Sequence, residues 1–146
     1  MVYNWNNIKK GEENERKILS QLNKTYTNLQ ITRGGARYDF YNDDVVIELK
    51  TRTNCYNKYP TTMIGKIKID YFLNNKSIEN KKKFCFFGFT DGLYFIEITK
   101  ESIKNFELNI GGRCDRGRPE WKNYYYIPIN LLEKYNPIEN TTQNPL

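Results

Sequence analysis

The sequence predicts a single α/β domain. Three observations carry this: an opening segment with helical hydrophobic spacing, a run of period-two strand patterns after it, and a later helix followed by two strongly apolar strands. The 146 residues suit one hydrophobic core and are too few for two ordinary domains. The expected division is one domain over residues 1–136 and a frayed, flexible tail over 137–146.

The first helix is expected over residues 7–24, where Ile8, Ile18, Leu19 and Leu22 recur at helical spacing and Glu12/Arg16 and Glu13/Lys17 form i,i+4 pairs on the outer side. From Leu29 to Arg52 the period falls to two. Residues 29–33, a break at Gly34-Gly35, residues 36–42 and residues 44–52 beyond an Asn-Asp-Asp turn read as three strands. Pro60 and Gly65 punctuate the next stretch, in which Ile64, Lys68, Tyr71 and Phe72 favour a helix from about Lys66 onward. Residues 83–90 and 93–99 read as two strands joined at Asp91-Gly92 and placed centrally in the sheet. A short helix at 99–106, a Gly/Arg-rich loop over 107–121, a strand at 123–129 and a helical turn at 130–135 complete the chain.

Twenty-three Lys and Arg against seventeen Asp and Glu give a net charge of +6, a balance that suits a polyanionic partner such as nucleic acid and equally a merely basic soluble protein. Aromatics at 15% supply large side chains for a core. No apolar run reaches membrane-spanning length and the N-terminus has no apolar signal region, so the chain is expected inside a cell, in cytoplasm or nucleus/nucleoid, without a membrane partner. Cys55, Cys85 and Cys114 are odd in number and there is no histidine, which leaves buried or free thiols rather than a zinc set or a disulfide framework. The absence of histidine also removes Ser-His-Asp, Cys-His and HExxH chemistry. Catalysis must use carboxylates, lysine, tyrosine or metal.

One constellation offers such chemistry. If Asp43 and Asp44 form a two-residue hairpin loop, residues whose numbers add to 87 face one another, so Asp39 lies opposite Glu48. Strand alternation puts Lys50 on the face of Glu48, and Tyr38, Phe40, Val45, Ile47 and Leu49 on the other, core-forming face. Two opposed carboxylates repel unless something positive intervenes, and a divalent cation such as Mg²⁺, which takes carboxylate oxygens, would resolve the conflict and could activate water for phosphodiester hydrolysis. Asp-Asp is a poor two-residue turn, so this register requires support, which a bulge could give. Glu15 adds a third acid amid the apolar stripe of the first helix.

Asp39 followed by Glu48-Leu49-Lys50 at a strand end resembles the D-X(n)-(D/E)-X-K signature of the PD-(D/E)XK, or restriction-endonuclease-like, nuclease superfamily. Lys10-Gly11-xxx-Glu15-Arg16 further resembles the first-helix motif of archaeal Holliday-junction resolvases in that superfamily; the match covers roughly residues 10 to 52. Tyr38 stands where the signature often has proline, and Lys68-x-x-Tyr71 only loosely resembles a helix motif of related nucleases. The resemblance implies an αβββαβ core with a mixed central sheet flanked by helices, and catalysis by Glu15, Asp39, Glu48 and Lys50. It further implies Mg²⁺ or Mn²⁺ on Asp39, Glu48 and the Leu49 backbone carbonyl with Glu15 as auxiliary acid, and DNA as the commonest substrate.

Arg33, Arg37 and Arg52 lie beside this site, where arginine suits phosphate; Lys68 joins them as a nucleic-acid-binding candidate. Arg113, Arg116 and Arg118 could grip a nucleic-acid backbone or simply sit in a polar connection. Tyr124-Tyr125-Tyr126 could stack bases, although alternating strand burial explains the run more simply. The expected function is therefore a metal-dependent DNA endonuclease, selective for branched or distorted DNA if the first-helix likeness extends that far, with a homodimer for paired cuts. The alternatives are a non-catalytic nucleic-acid-binding or assembly protein on the same fold, and a nuclease of RNA or single strands.

Overall fold

The computed structural model describes residues 5–32, 37–113 and 120–137, and of residues 5–12, 112, 113, 120 and 121 the backbone alone. Two helices and two sheets form one mixed α/β domain. Helix α1 (Trp5–Leu22) leads into β1 (Gln30–Ile31), β2 (Phe40–Tyr41) and β3 (Val45–Thr51); β4 (Thr61–Gly65) runs directly into α2 (Lys66–Asn74). Then follow β5 (Lys82–Phe89), β6 (Gly92–Glu97), β7 (Glu107–Arg113), β8 (Glu120–Pro128) and β9 (Glu133–Lys134). The six-stranded sheet has the order β1-β2-β3-β5-β6-β9, with β3 and β5 parallel and the other pairs antiparallel. A parallel pair needs a long crossover, and β4 with α2 supplies it. The second sheet, β4-β8-β7, is antiparallel.

The central strands are apolar on both faces because both faces are covered. Val45, Ile47, Phe84 and Phe86 pack with Phe40 and with Ile18 and Leu22 of α1. Val46, Cys85 and Phe87, one residue out of phase, pack with Ile69 and Phe72 of α2 and with Ile64 and Ile127 of the second sheet. The second face of β3, expected to be the polar one, thus lies under α2, and Tyr38 packs on that side, against Tyr41 and Tyr71, rather than with Phe40.

The Asp43-Asp44 loop is held from outside itself. The Asn42 side chain accepts from the N–H groups of Asp44 and Val45, both at 2.8 Å, while the Asn42 carbonyl accepts from Lys81 Nζ at 2.6 Å. The Asn42 N–H donates to the Val45 carbonyl at 3.1 Å, closing the two-residue loop.

Elsewhere the fold departs from expectation. The segment 107–121 is mostly strand, because Leu108 and Ile110 alternate and pair with β8, and Gly111-Gly112 continues the ladder instead of breaking it. Strand β4 lies between Pro60 and Gly65, the expected helix at 99–106 shrinks to a 3-10 turn at Ser102–Asn105, and the helical turn expected at 130–135 is a 3-10 turn at Ile129–Leu131, followed by β9. The loop between β5 and β6 is Thr90-Asp91, with Gly92 already paired to Phe89. Of the expected tail, residues 138–146 lie outside the described residues. Among the described residues no helix is long and apolar enough to cross a membrane.

Phe86 is fully buried, its ring 5.2 Å from Phe95 and 5.6 Å from Tyr135. Phe86→Ala should lower the free energy of unfolding by about 3–5 kcal/mol in urea titration, against a change within about 0.5 kcal/mol for Ile67→Ala, whose side chain is exposed. Equal midpoints for the two variants would mean the core is not centred on β5.

Candidate active site

The hairpin between β2 and β3 has the register that brings the acids together. Phe40 pairs with Ile47 and Tyr41 with Val46, so the next position, Asp39, comes up against Glu48. There the chain leaves the regular ladder: the Asp39 N–H donates to the Ile47 carbonyl at 2.9 Å, and Asp39 Oδ2 accepts the backbone N–H of Leu49 at 2.7 Å. This bulge-like step ties the Asp39 carboxylate to β3 between Glu48 and Lys50.

Glu48 is only 3% exposed, in the layer between the central sheet and α2. Across the parallel ladder its neighbour is Cys85, which is fully buried. Glu48 Oε1 lies 3.4 Å from Lys50 Nζ, on its own strand, and 3.5 Å from Lys68 Nζ, on α2. Oε2 is buried with no hydrogen-bond partner. Burial, then the nearby Asp39 carboxylate, pushes the Glu48 pKa up to about 7, and the two lysines only partly oppose this. Burial likewise drives the Cys85 thiol well up, so this cysteine is kept as a neutral, packed group. Cys55 and Cys85 are free thiols, and Cys114 lies outside the described residues.

Asp39, Glu48, Lys50 and Lys68 are thus brought to one place from a hairpin, a central strand and a helix. Lys68 is the addition that spacing along β3 could not give: its ammonium is placed by α2, and it also donates to the Arg37 carbonyl at 3.4 Å. The only sequence signal for it was the Lys68-x-x-Tyr71 pattern. Glu15 is half-buried on α1, next to Asn14, whose side-chain amide donates to Thr51 Oγ1 at the end of β3. Among the described residues no group of three or more acids and cysteines is set to hold a metal ion.

The arginines divide. Arg52 is turned inward: Nε donates to Thr62 Oγ1 at 3.1 Å, an Nη donates to the Met63 carbonyl, and the guanidinium lies 5.5 Å from the Phe87 ring centre. Burial lowers its pKa. Arg37 is exposed. Arg113 ends β7 with its side chain outside the description, and Arg33, Arg116 and Arg118 lie outside the described residues.

The residues present fit a divalent cation by their own chemistry. Two carboxylates converge, and one of them carries a buried oxygen that nothing else satisfies. A comparison with protein families gives an independent finding: the family described as phage putative PDDEXK endonuclease matches residues 8–135, from α1 to the last strand. No curated protein matches the chain, and no solved structure does. A match that spans α1, the Asp39/Glu48-x-Lys50 hairpin and both sheets places the chain plainly: it belongs to the phage PDDEXK endonuclease family, within the PD-(D/E)XK nuclease superfamily.

Proposed function

We propose that this chain is a metal-dependent nuclease that hydrolyses phosphodiester bonds and acts on DNA as an endonuclease. The observation that carries the reading is Glu48: a buried carboxylate with one unpartnered oxygen, facing a second carboxylate and flanked by two ammonium groups. A buried carboxylate oxygen left without a partner beside a second acid suits a cation ligand.

Asp39 and Glu48, with the Leu49 backbone carbonyl, would hold Mg²⁺ or Mn²⁺, hard cations that accept oxygen ligands. When bound, such an ion polarises the phosphoryl group and lowers the pKa of its water. The chain does the rest. The Leu49 N–H fixes the Asp39 carboxylate, so this acid is oriented before any substrate arrives. Lys50 and Lys68 are each about one-third exposed, so ammonium groups that anchor Glu48 also face solvent, where a phosphate would approach. Lys50 orients the attacking water, and Lys68 offsets charge on the phosphate. Selectivity for branched DNA rests on the Lys10-Gly11-xxx-Glu15-Arg16 likeness, and cutting both strands of a duplex would take two copies of this single site.

The reading is tested with labelled duplex, single-stranded and four-way-junction DNA and with RNA, in Mg²⁺, Mn²⁺ or EDTA. Cleavage should require the metal and fall at least about 100-fold in Glu48→Gln, Asp39→Asn and Lys50→Ala, with DNA preferred. Binding of nucleic acid without cleavage in any metal would sink it in favour of a non-catalytic binding protein.

Glu48 also sets a pH dependence in EDTA. Its folded pKa of about 7 stands above the ordinary 4.5, so between those values the unfolded chain is ionised while the folded chain keeps the proton. The associated stability is present in full below pH 4.5 and is lost as pH rises through 7, by about 3 kcal/mol. In Glu48→Gln this component of the slope should vanish, which urea titrations at pH 5 and pH 8 would read as a smaller difference than in wild type. An unchanged difference would show that Glu48 is ionised throughout.

A further inference from the structure

Beyond the acids, β3 leads towards a cavity. Glu48 and Lys50 share one face of β3, and Arg52, the residue after the strand, lies on that side too, over the Phe87 ring. Arg52, roughly 13 Å past Glu48 at about 3.3 Å per residue, lines a cleft of about 430 Å³ between the end of β3 and the second sheet. That volume is in the range that holds small ligands, roughly 300–1,000 Å³.

The walls are aromatic, with a few polar groups among them. Tyr56 is stacked on Tyr94, ring centres 4.0 Å apart and 6° from parallel, and its hydroxyl donates to the Ile129 carbonyl at 2.9 Å, so this wall is rigid. Tyr59 is 53% exposed at the rim, with Lys58 Nζ 5.5 Å from its ring centre. Tyr126 pairs with Met63 across β4 and β8. It lies along the sheet over Gly111, where a Cβ would stand 2.8 Å from its hydroxyl and 2.7 Å from Tyr124. A side chain at Gly111 would have to displace these rings, so the glycine leaves the room that Tyr124 and Tyr126 occupy. Tyr125, between them, turns the other way, into the core against Phe106. Arg52 forms one polar side of the cleft, held by Thr62 and the Met63 carbonyl, and Asn54 adds an amide.

We infer that this cleft receives one nucleobase of the substrate, unpaired or turned out of its stack, lying against Tyr59 and Tyr126 with Arg52 and Asn54 at its polar edge. Aromatic faces with a guanidinium and an amide beside them suit a planar heterocycle, whose edge those polar groups can read by hydrogen bonds. The placement follows from β3: a strand whose phosphate lies at Glu48 and Lys50 runs along the same face towards Arg52. The inference rests on the nuclease reading for the identity of the ligand and is tested separately from it.

Fluorescence anisotropy in EDTA would measure binding of an oligonucleotide, as single strand and as duplex, and of the same backbone with all bases removed. Tyr59→Ala and Tyr126→Ala should weaken binding of the intact single strand by about 5- to 150-fold, the value of one stacked base, and leave the abasic strand unchanged. Tyr126→Phe, which keeps the ring, should bind as wild type and guards against a folding defect in the alanine variant. A like effect on the duplex would mean a base is flipped; an effect on the single strand alone would mean an unpaired base is taken. Equal loss on intact and abasic strands, or no loss on either, overturns the base site. A parallel assay in Mg²⁺ separates the two ideas: cleavage with base-independent binding sinks the cleft alone, and base-dependent binding without cleavage by wild type sinks only the nuclease.

Discussion

A carboxylate buried on the central strand is the constraint around which this molecule is arranged. Among the described residues Glu48 is the sole charged side chain in the core, on a strand whose other positions up to Ile47 are apolar and shielded. Such a group is costly to bury unless it is neutral or paired. Each surrounding element answers that cost in part: β3 brings Lys50, α2 brings Lys68, and burial with the opposing Asp39 shifts Glu48 towards its protonated form near neutral pH. The balance is incomplete by one oxygen, Glu48 Oε2.

The architecture follows from the same strand. Because β3 is parallel to β5, the chain must cross over between them, and the crossover is α2 with β4. The helix therefore sits on the face that carries Glu48, where Ile69 and Phe72 seal the apolar layer and Lys68, on the same helix, reaches the acid. Helix α1 takes the other face through Ile18 and Leu22. The site is a seam in the core, open at the strand end where both lysines meet solvent.

How much of this the sequence showed depends on the range of the forces involved. The Asp39/Glu48 register was legible because it is set within a short hairpin by period-two alternation, and the turn that looked weak is secured by Asn42 through its own side chain. Its further support from Lys81 is distant in sequence and left no local trace. Lys50 followed from alternation. Lys68 as a partner of Glu48 did not, since it depends on how α2 docks, which tertiary packing decides. Arg52 looked like a phosphate ligand because strand patterning gives the side but not the depth; the second sheet, whose strands β4 and β7 were masked by Pro60, Gly65 and Gly111-Gly112, is what draws it inward.

That second sheet changes how β3 is to be read. Along one face the strand carries an acid that burial holds near neutrality, then a lysine that is partly open, and just past its end an arginine clamped by backbone and hydroxyl groups. Along that face Glu48 is buried and Lys50 and Arg52 are both half-buried, and Arg52 is held in place by Thr62 Oγ1 and the Met63 carbonyl. A strand covered by α2 alone would have ended in open solvent after Lys50. Because β4 precedes α2 without a break, the element that delivers Lys68 to the acid also builds the wall behind Arg52, and the position of the cleft relative to Glu48 is fixed by the same crossover that makes the sheet mixed.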